Sequence, residues 1–231
     1  NFLDTPGYFD FVGEVESAVR VSGSSVIVLD ATSGVEVGAE KAWRILEEKK
    51  QPRIIYLNKM DKGYINYEKL LYELKEKFGK KIAPFCIPIG EKEEFKGFVN
   101  VIEMKSRIFN GVECEDRPIP DFMDVSEVRN LLMEAVAETD EELMEKYFNG
   151  EEFTTEEIKR GLHKGVVNGD VVPVIVGSAV QGIGIHTLFK IINDYMPLPN
   201  EMFNGERIGK NLEGEEVVRK VDREEPFSAI V

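Results

Sequence analysis

Three short loops carry the residues whose types and spacing can do chemistry. The first is Asp4-Thr5-Pro6-Gly7, followed by Tyr8. A carboxylate at Asp4 can hold a magnesium ion through a water, and Gly7, having no Cβ, lets its N–H approach a terminal phosphate closely. Pro-Gly after a small polar residue is also an ordinary turn, so this string says little by itself. The second loop, Asn58-Lys59-Met60-Asp61, directly follows the apolar run Ile54-Ile55-Tyr56-Leu57. Guanine presents an N1–H beside an exocyclic amine, and one carboxylate such as Asp61 can accept both hydrogens; adenine offers no such pair. Asn58 would brace the loop, and the methylene stem of Lys59 would cover the flat face of the base. The third loop, Gly177-Ser178-Ala179, follows Pro173-Val174-Ile175-Val176. A residue as small as Ala179 lets its N–H reach a base carbonyl, while the Ser178 hydroxyl can orient Asp61.

Such loops need a scaffold that brings their ends together. Open parallel sheets bind ligands beyond the carboxyl ends of their strands, and the chain alternates short β-branched runs with longer amphipathic stretches, the pattern of strand-helix-strand units. Buried strands are expected over Ser25 to Ala31, Arg53 to Asn58 and Val171 to Gly177, with Phe2-Leu3-Asp4 reading as the end of another. Helices are expected over Gly38 to Lys49 and Tyr67 to Phe78, with a third after Gly184 that stops at Pro197 and Pro199. The fold class is therefore α/β, a parallel sheet with helices on both faces. From Lys81 to Asp170 the pattern changes. Strand-like pieces at Phe85 to Ile89, Phe98 to Met104 and Lys105 to Phe109 precede acidic helices starting near Ser126, Asp140 and Thr155, which predicts an inserted α+β subdomain. After Pro199, Gly205, Gly209 and Gly214 suggest a linker, and Pro226 to Val231 the start of another strand.

Composition narrows the classes. The 231 residues, 42% apolar and 31% charged, suit a globular protein with a sizeable core. With 29 basic and 43 acidic side chains the net charge is -14, which opposes independent, non-specific binding to nucleic acid. Cys86 and Cys114 are too few for a disulfide scaffold and fit free thiols in a reducing cytoplasm. No apolar run has the length of a membrane span, so no membrane partner is expected. His163 and His186 have no carboxylate or cysteine at ligand spacing and read as surface or cap residues.

Together the three loops resemble the third, fourth and fifth signature loops of the translational GTPases. Phe11-Val12-Gly13-Glu14-Val15, Gly34-Val35-Glu36, Pro88-Ile89-Gly90, Lys146-Tyr147 and Tyr195-Met196-Pro197-Leu198-Pro199 extend the likeness to elongation factor G along nearly the whole chain. The interval from Asp61 to Ser178 is 178 - 61 = 117 residues, matching that family's inserted subdomain. The resemblance implies a P-loop GTPase-like fold with residues 1–80 as the first part of the GTPase domain, 81–170 as the insert, 171–199 as the last part, and 200–231 as a linker leading to a β domain. It implies GTP or GDP with Mg2+ as cofactors, bound by Asp4, Thr5, Pro6, Gly7, Tyr8, Asn58, Lys59, Met60, Asp61, Ser178 and Ala179, with Asp4 reaching the metal through water. Phe9 to about Val21 would form the mobile second switch. The partners implied are the ribosome and its stalk protein, the latter met by the acidic helix from Ser126 to Thr139.

Two departures bear on catalysis. The Gly-rich phosphate loop and the first switch are absent from these residues, so the chain reads as a fragment that binds nucleotide poorly and is inactive alone, with GTPase activity belonging to the intact parent. Tyr8 stands where hydrolysing members carry the histidine that positions the attacking water, and a phenol does not reproduce an imidazole's geometry or charge. In this the sequence resembles a divergent, second-type elongation factor G more than the housekeeping one. Two functions stay open: a GTP-driven switch acting in translocation, and a non-hydrolysing, guanine-nucleotide-dependent ribosome-binding protein.

Overall fold

In the computed structural model, which describes residues 1–228, the chain divides into two compact units, residues 1–196 and 197 onward. The first opens with a turn of 3-10 helix at Phe9–Phe11 and α1 (Val12–Val21). Strand β1 (Ser25–Asp30), α2 (Val37–Glu48), β2 (Arg53–Asn58) and α3 (Tyr67–Phe78) follow. Next come the strands β3 (Ile82–Pro84), β4 (Cys86–Ile89), β5 (Gly97–Asn100), β6 (Lys105–Phe109) and β7 (Cys114–Arg117). Helices α4 (Ser126–Ala137), α5 (Glu141–Phe148) and α6 (Thr155–Asn168) lead to β8 (Val172–Val176) and α7 (Ile185–Tyr195).

Two sheets result. A parallel sheet has the order β1-β2-β8-β3, and an antiparallel one the order β4-β5-β6-β7. Strand β2 is apolar without alternation because both its faces are covered: Ile54, Ile55 and Leu57 are wholly buried. Pro173 sits in β8 without breaking the sheet, since the pairing of β8 with β2 begins only at Val174, opposite Ile55. Residues 82–84, at the start of the expected insert, pair with β8 in the parallel sheet, so the antiparallel sheet begins at Cys86.

The helices cover this sheet with the faces their spacing defines. On α2, Ala39, Trp43 and Leu46 are buried; on α3, Leu70, Leu71, Leu74 and Phe78. The two meet through Trp43 and Phe78, whose rings stack at 4.2 Å. The buried Arg53 guanidinium also lies over Trp43, 4.1 Å from its ring, and pairs with Glu47. Burial lowers the Arg53 pKa to about 10. Helix α6 starts in a capping box: Thr154 Oγ1 accepts from the Glu157 N–H at 3.2 Å, and Glu157 accepts from the Thr154 N–H at 2.8 Å. No helix among the described residues is long and apolar enough to cross a membrane.

Two expected strands are corrected. Phe2 and Leu3 are exposed and outside any strand; an isolated apolar pair cannot hold a ladder, and the Phe2 ring packs edge-on against Phe189. The strand expected to run to Met104 ends at Asn100, whose Oδ1 accepts from the N–H groups of Ile102 and Glu103 at 3.0 Å each and turns the chain. In the second unit, the stretch expected as a linker contains an antiparallel hairpin of β9 (Glu206–Lys210) and β10 (Glu216–Lys220), with Ile208 opposite Val218. Residues 226–228 take no strand, and the rest of the strand start expected over Pro226 to Val231 lies outside the described residues.

Close packing of α6 depends on two glycines, Gly161 and Gly165. A Cβ on Gly161 would come 2.8 Å from Val136 Cγ1 and 3.1 Å from Thr139 Oγ1. Gly161→Ala gains about 1 kcal/mol of helix propensity, but overpacking of this kind costs about 1–3 kcal/mol. The expected outcome is a net loss of stability in urea unfolding; a gain would show that α4 gives way.

Candidate functional site

The tips of β1, β2 and β8 stand side by side because the parallel register pairs Asp30 with Asn58 and Leu57 with Val176. Beyond the strand ends the hydrogen bonding continues. The Gly177 N–H donates to Leu57 O at 2.9 Å, and the Met60 N–H returns to Gly177 O at 3.1 Å. These bonds lock the second and third sequence loops together. Gly177 is required there: a Cβ would lie 2.2 Å from Tyr56 Oη and 2.5 Å from Ile183 O.

Within this frame Asp61 is the buried acid of the site, its side chain 2% exposed. Burial by itself would raise its pKa, but hydrogen bonds from the Ser178 hydroxyl and from Lys62, 3.2 Å away, hold the carboxyl below the usual carboxylate range. Ser178 is wholly buried, and its Oγ also accepts from the Gln181 N–H at 3.3 Å. Met60 is buried beneath the loop. Lys59 adopts a left-handed backbone, φ +63°, which turns the chain so that Asp61 points inward and Lys59 outward.

Asn58 braces the loop by accepting the Ala179 N–H at 2.9 Å. This N–H was expected to face a base carbonyl; in the structure it is taken by Asn58, so an incoming base oxygen must compete with that side chain. The arrangement offers one ionised, desolvated acceptor in a loop whose backbone is fixed on two sides. Such a group favours a ligand with paired N–H donors and penalises one without them, because acceptor positions of the carboxylate beyond those met by Ser178 and Lys62 would be left unsatisfied.

Sequence reasoning missed Asp30. Its carboxylate, at the end of β1, pairs with Lys59 and accepts from the Thr32 N–H and hydroxyl at 2.9 and 2.6 Å. Lys59 and Thr32 together hold its pKa low against the opposing effect of burial. The signal was available, since Asp30 is a carboxylate at the carboxyl end of a buried run, where parallel sheets place ligand residues.

The first sequence loop stands apart from this assembly. Asp4, Gly7 and Tyr8 are exposed, Tyr8 at 80%, in a segment without strand or helix before Phe9. Among the described residues, no hydrogen bond or ion pair joins Asp4, Thr5, Pro6, Gly7 or Tyr8 to the other two loops. Nor do the described residues contain a group of three or more His, Cys, Asp or Glu able to hold a metal ion.

Comparison with known proteins agrees with this geometry. Residues 1–198 match the family model described as the elongation factor Tu GTP binding domain. A curated relative, an elongation factor G-like protein of Thermotoga maritima, is 36% identical over 229 residues, covering 99% of this chain and 33% of the relative. A crystal structure of a Thermus thermophilus protein superposes with a TM-score of 0.80 at 34% identity, covering 90% of this chain and 32% of the other. The chain thus spans about a third of the length of each. A parallel sheet whose strand-tip loops place Asn58, Asp61 and Ser178 together, in a chain matched from end to end of that sheet, makes this chain a member of the elongation factor Tu GTP-binding domain family.

Proposed function

We propose that this chain binds the guanine base of GTP and GDP and serves as the nucleotide-binding domain of an elongation factor G-like GTPase acting on the ribosome in the cytoplasm. The observation that carries the reading is the ionised Asp61, buried beside the Ser178 hydroxyl in a loop braced by Asn58. Guanine's N1–H and exocyclic amine are the donor pair that would complete this acceptor. The Lys59 stem would cover the base, and Met60 would support the loop from beneath.

Asp4, Thr5, Pro6 and Gly7 would face the phosphates, with Asp4 reaching a magnesium ion through water. One exposed carboxylate does not hold the ion by itself, so magnesium would arrive with the phosphates it neutralises. The second switch, from Phe9 to about Val21, contains α1, none of whose residues is buried. A helix so lightly anchored suits a segment that nucleotide state orders or releases.

The insert within residues 81–170 would meet the ribosomal stalk protein through α4, and residues 200–231 would lead to a following β domain. A protein with a net charge of -14 is suited to reach the ribosome through a protein contact more than by clamping RNA. The exposed Tyr8 favours a second reading, in which nucleotide is bound and sensed without hydrolysis.

Asp61→Asn replaces the acceptor with an amide that can donate to xanthine's exocyclic oxygen. Affinity should pass from GDP to xanthosine diphosphate, with the guanine preference falling by about 10⁴; an unchanged preference in a competition assay would refute the base assignment. Ser178→Ala removes a hydrogen bond that lowers the Asp61 pKa, leaving burial less opposed. Carboxyl NMR should then show Asp61 titrating at higher pH than in the natural protein. A carboxylate with a depressed folded pKa contributes stability above its unfolded pKa of about 4 and loses it as pH falls through the folded value. The stability gap between Ser178→Ala and the natural protein should therefore be open at neutral pH and close in acid. Multiple-turnover GTP hydrolysis with ribosomes, comparing the natural protein with Tyr8→His, separates the two functional readings: turnover with Tyr8 supports the GTPase, and turnover in the variant alone supports the non-hydrolysing switch.

A further inference from the structure

Lys59 combines a left-handed backbone with a half-exposed side chain: φ is +63°, and the side chain is 52% exposed. A lysine stem that is to lie over a base loses rotamer freedom when the ligand binds, at a cost to affinity. Asp30 removes part of that freedom beforehand. The parallel register sets Asp30 beside Asn58, and the Ala31 N–H fastens the two strand tips by donating to Asn58 O at 3.0 Å. On the Asp30 carboxylate, Oδ1 is held by the Thr32 N–H and hydroxyl. Oδ2 is left to take the Lys59 ammonium. The carboxylate is thus fixed on one side and spends its other oxygen on the lysine.

We propose that Asp30 is a positioning residue for nucleotide binding, holding the Lys59 ammonium so that the stem is set at the mouth of the base site before the ligand arrives. The inference rests on the guanine-nucleotide reading. Asp30 acts through Lys59 and is assigned no contact with the base. Because the pair is partly exposed it adds little to folding, and its effect falls on affinity. The ionic charge is what matters, so the isosteric Asp30→Asn should behave like Asp30→Ala.

The test is GDP affinity by calorimetry on the full-length protein, for the natural sequence, Asp30→Ala, Asp30→Asn, Asp30→Glu, Lys59→Ala and the double variant Asp30→Ala/Lys59→Ala. Asp30→Ala and Asp30→Asn should each weaken GDP about 2- to 10-fold, the affinity equivalent of fixing one long side chain. The melting temperature of Asp30→Asn, which keeps an oxygen for the Thr32 N–H and hydroxyl, should stay within about 2 °C of the natural protein. Asp30→Glu should recover part of the loss, and the double variant should bind no more weakly than Lys59→Ala alone. GDP binding that is unchanged in Asp30→Ala, or losses that add in the double variant, would overturn the inference while leaving the nucleotide reading intact. Absence of GDP binding by the natural protein would remove both.

Discussion

The parallel ladder joining β1, β2 and β8 is the constraint on which the rest of the site depends. Pairing Asp30 with Asn58 and Leu57 with Val176 brings three strand ends to one edge of the sheet. The hydrogen bonds of Gly177 and Met60 extend the ladder by one step beyond the strands. A register shift of one residue would turn each tip side chain to the opposite face, so the geometry of Asp61 and Ser178 follows from β-sheet pairing made well beneath them. The missing Cβ at Gly177 is part of the same constraint, because Tyr56 and the Ile183 carbonyl occupy the space a side chain would need.

Electrostatics on that edge is handled locally. A domain with a net charge of -14 still keeps Asp61 ionised in a buried position, because the Ser178 hydroxyl and Lys62 outweigh the desolvation that opposes it. Asp30 is treated in the same way by Thr32 and Lys59. Each of these lysines follows β2 in sequence and pairs with an acid within the same cluster of loops. The loop after β2 therefore carries its own compensating charge.

The antiparallel sheet is bound to the parallel-sheet body by polar contacts as well as packing. Glu103 pairs with both Lys190 on α7 and Arg107 on β6, and Arg107 pairs in turn with Asp116 on β7. The Tyr67 hydroxyl of α3 donates to Cys86 O at 2.8 Å, while within the 81–170 segment the Arg129 guanidinium of α4 donates to the carbonyls of Val101 and Ile102 at 2.7 and 3.0 Å. Helix α7, which follows the Ser178 loop, is thus in direct contact with the segment between β5 and β6.

Much of this was legible in residue order. Unbroken apolar runs marked β2 and β8 as strands buried on both faces, and the 3.6-residue spacing of Leu70, Leu71, Leu74 and Phe78 marked α3 and its inner face. Asn58, Asp61 and Ser178 could be nominated because each lies at or just past a strand end. Other features depend on groups far apart in the chain. The Ala179 N–H bonds to Asn58, 121 residues earlier, and the Lys59 ammonium goes to Asp30, 29 residues earlier. Nothing local to Ala179 or Lys59 distinguishes these partners from solvent. Phe2 and Leu3 failed as a strand for the same reason: apolar character is a property of residues, whereas a strand needs a neighbour to complete its hydrogen bonds. By itself the sequence determined the central strands and the helices that cover them and nominated polar residues at the strand ends, because those depend on side-chain type and near-neighbour spacing. Only the tertiary structure decided which of those residues meet, because sheet register and loop closure arise between segments that the chain order keeps apart.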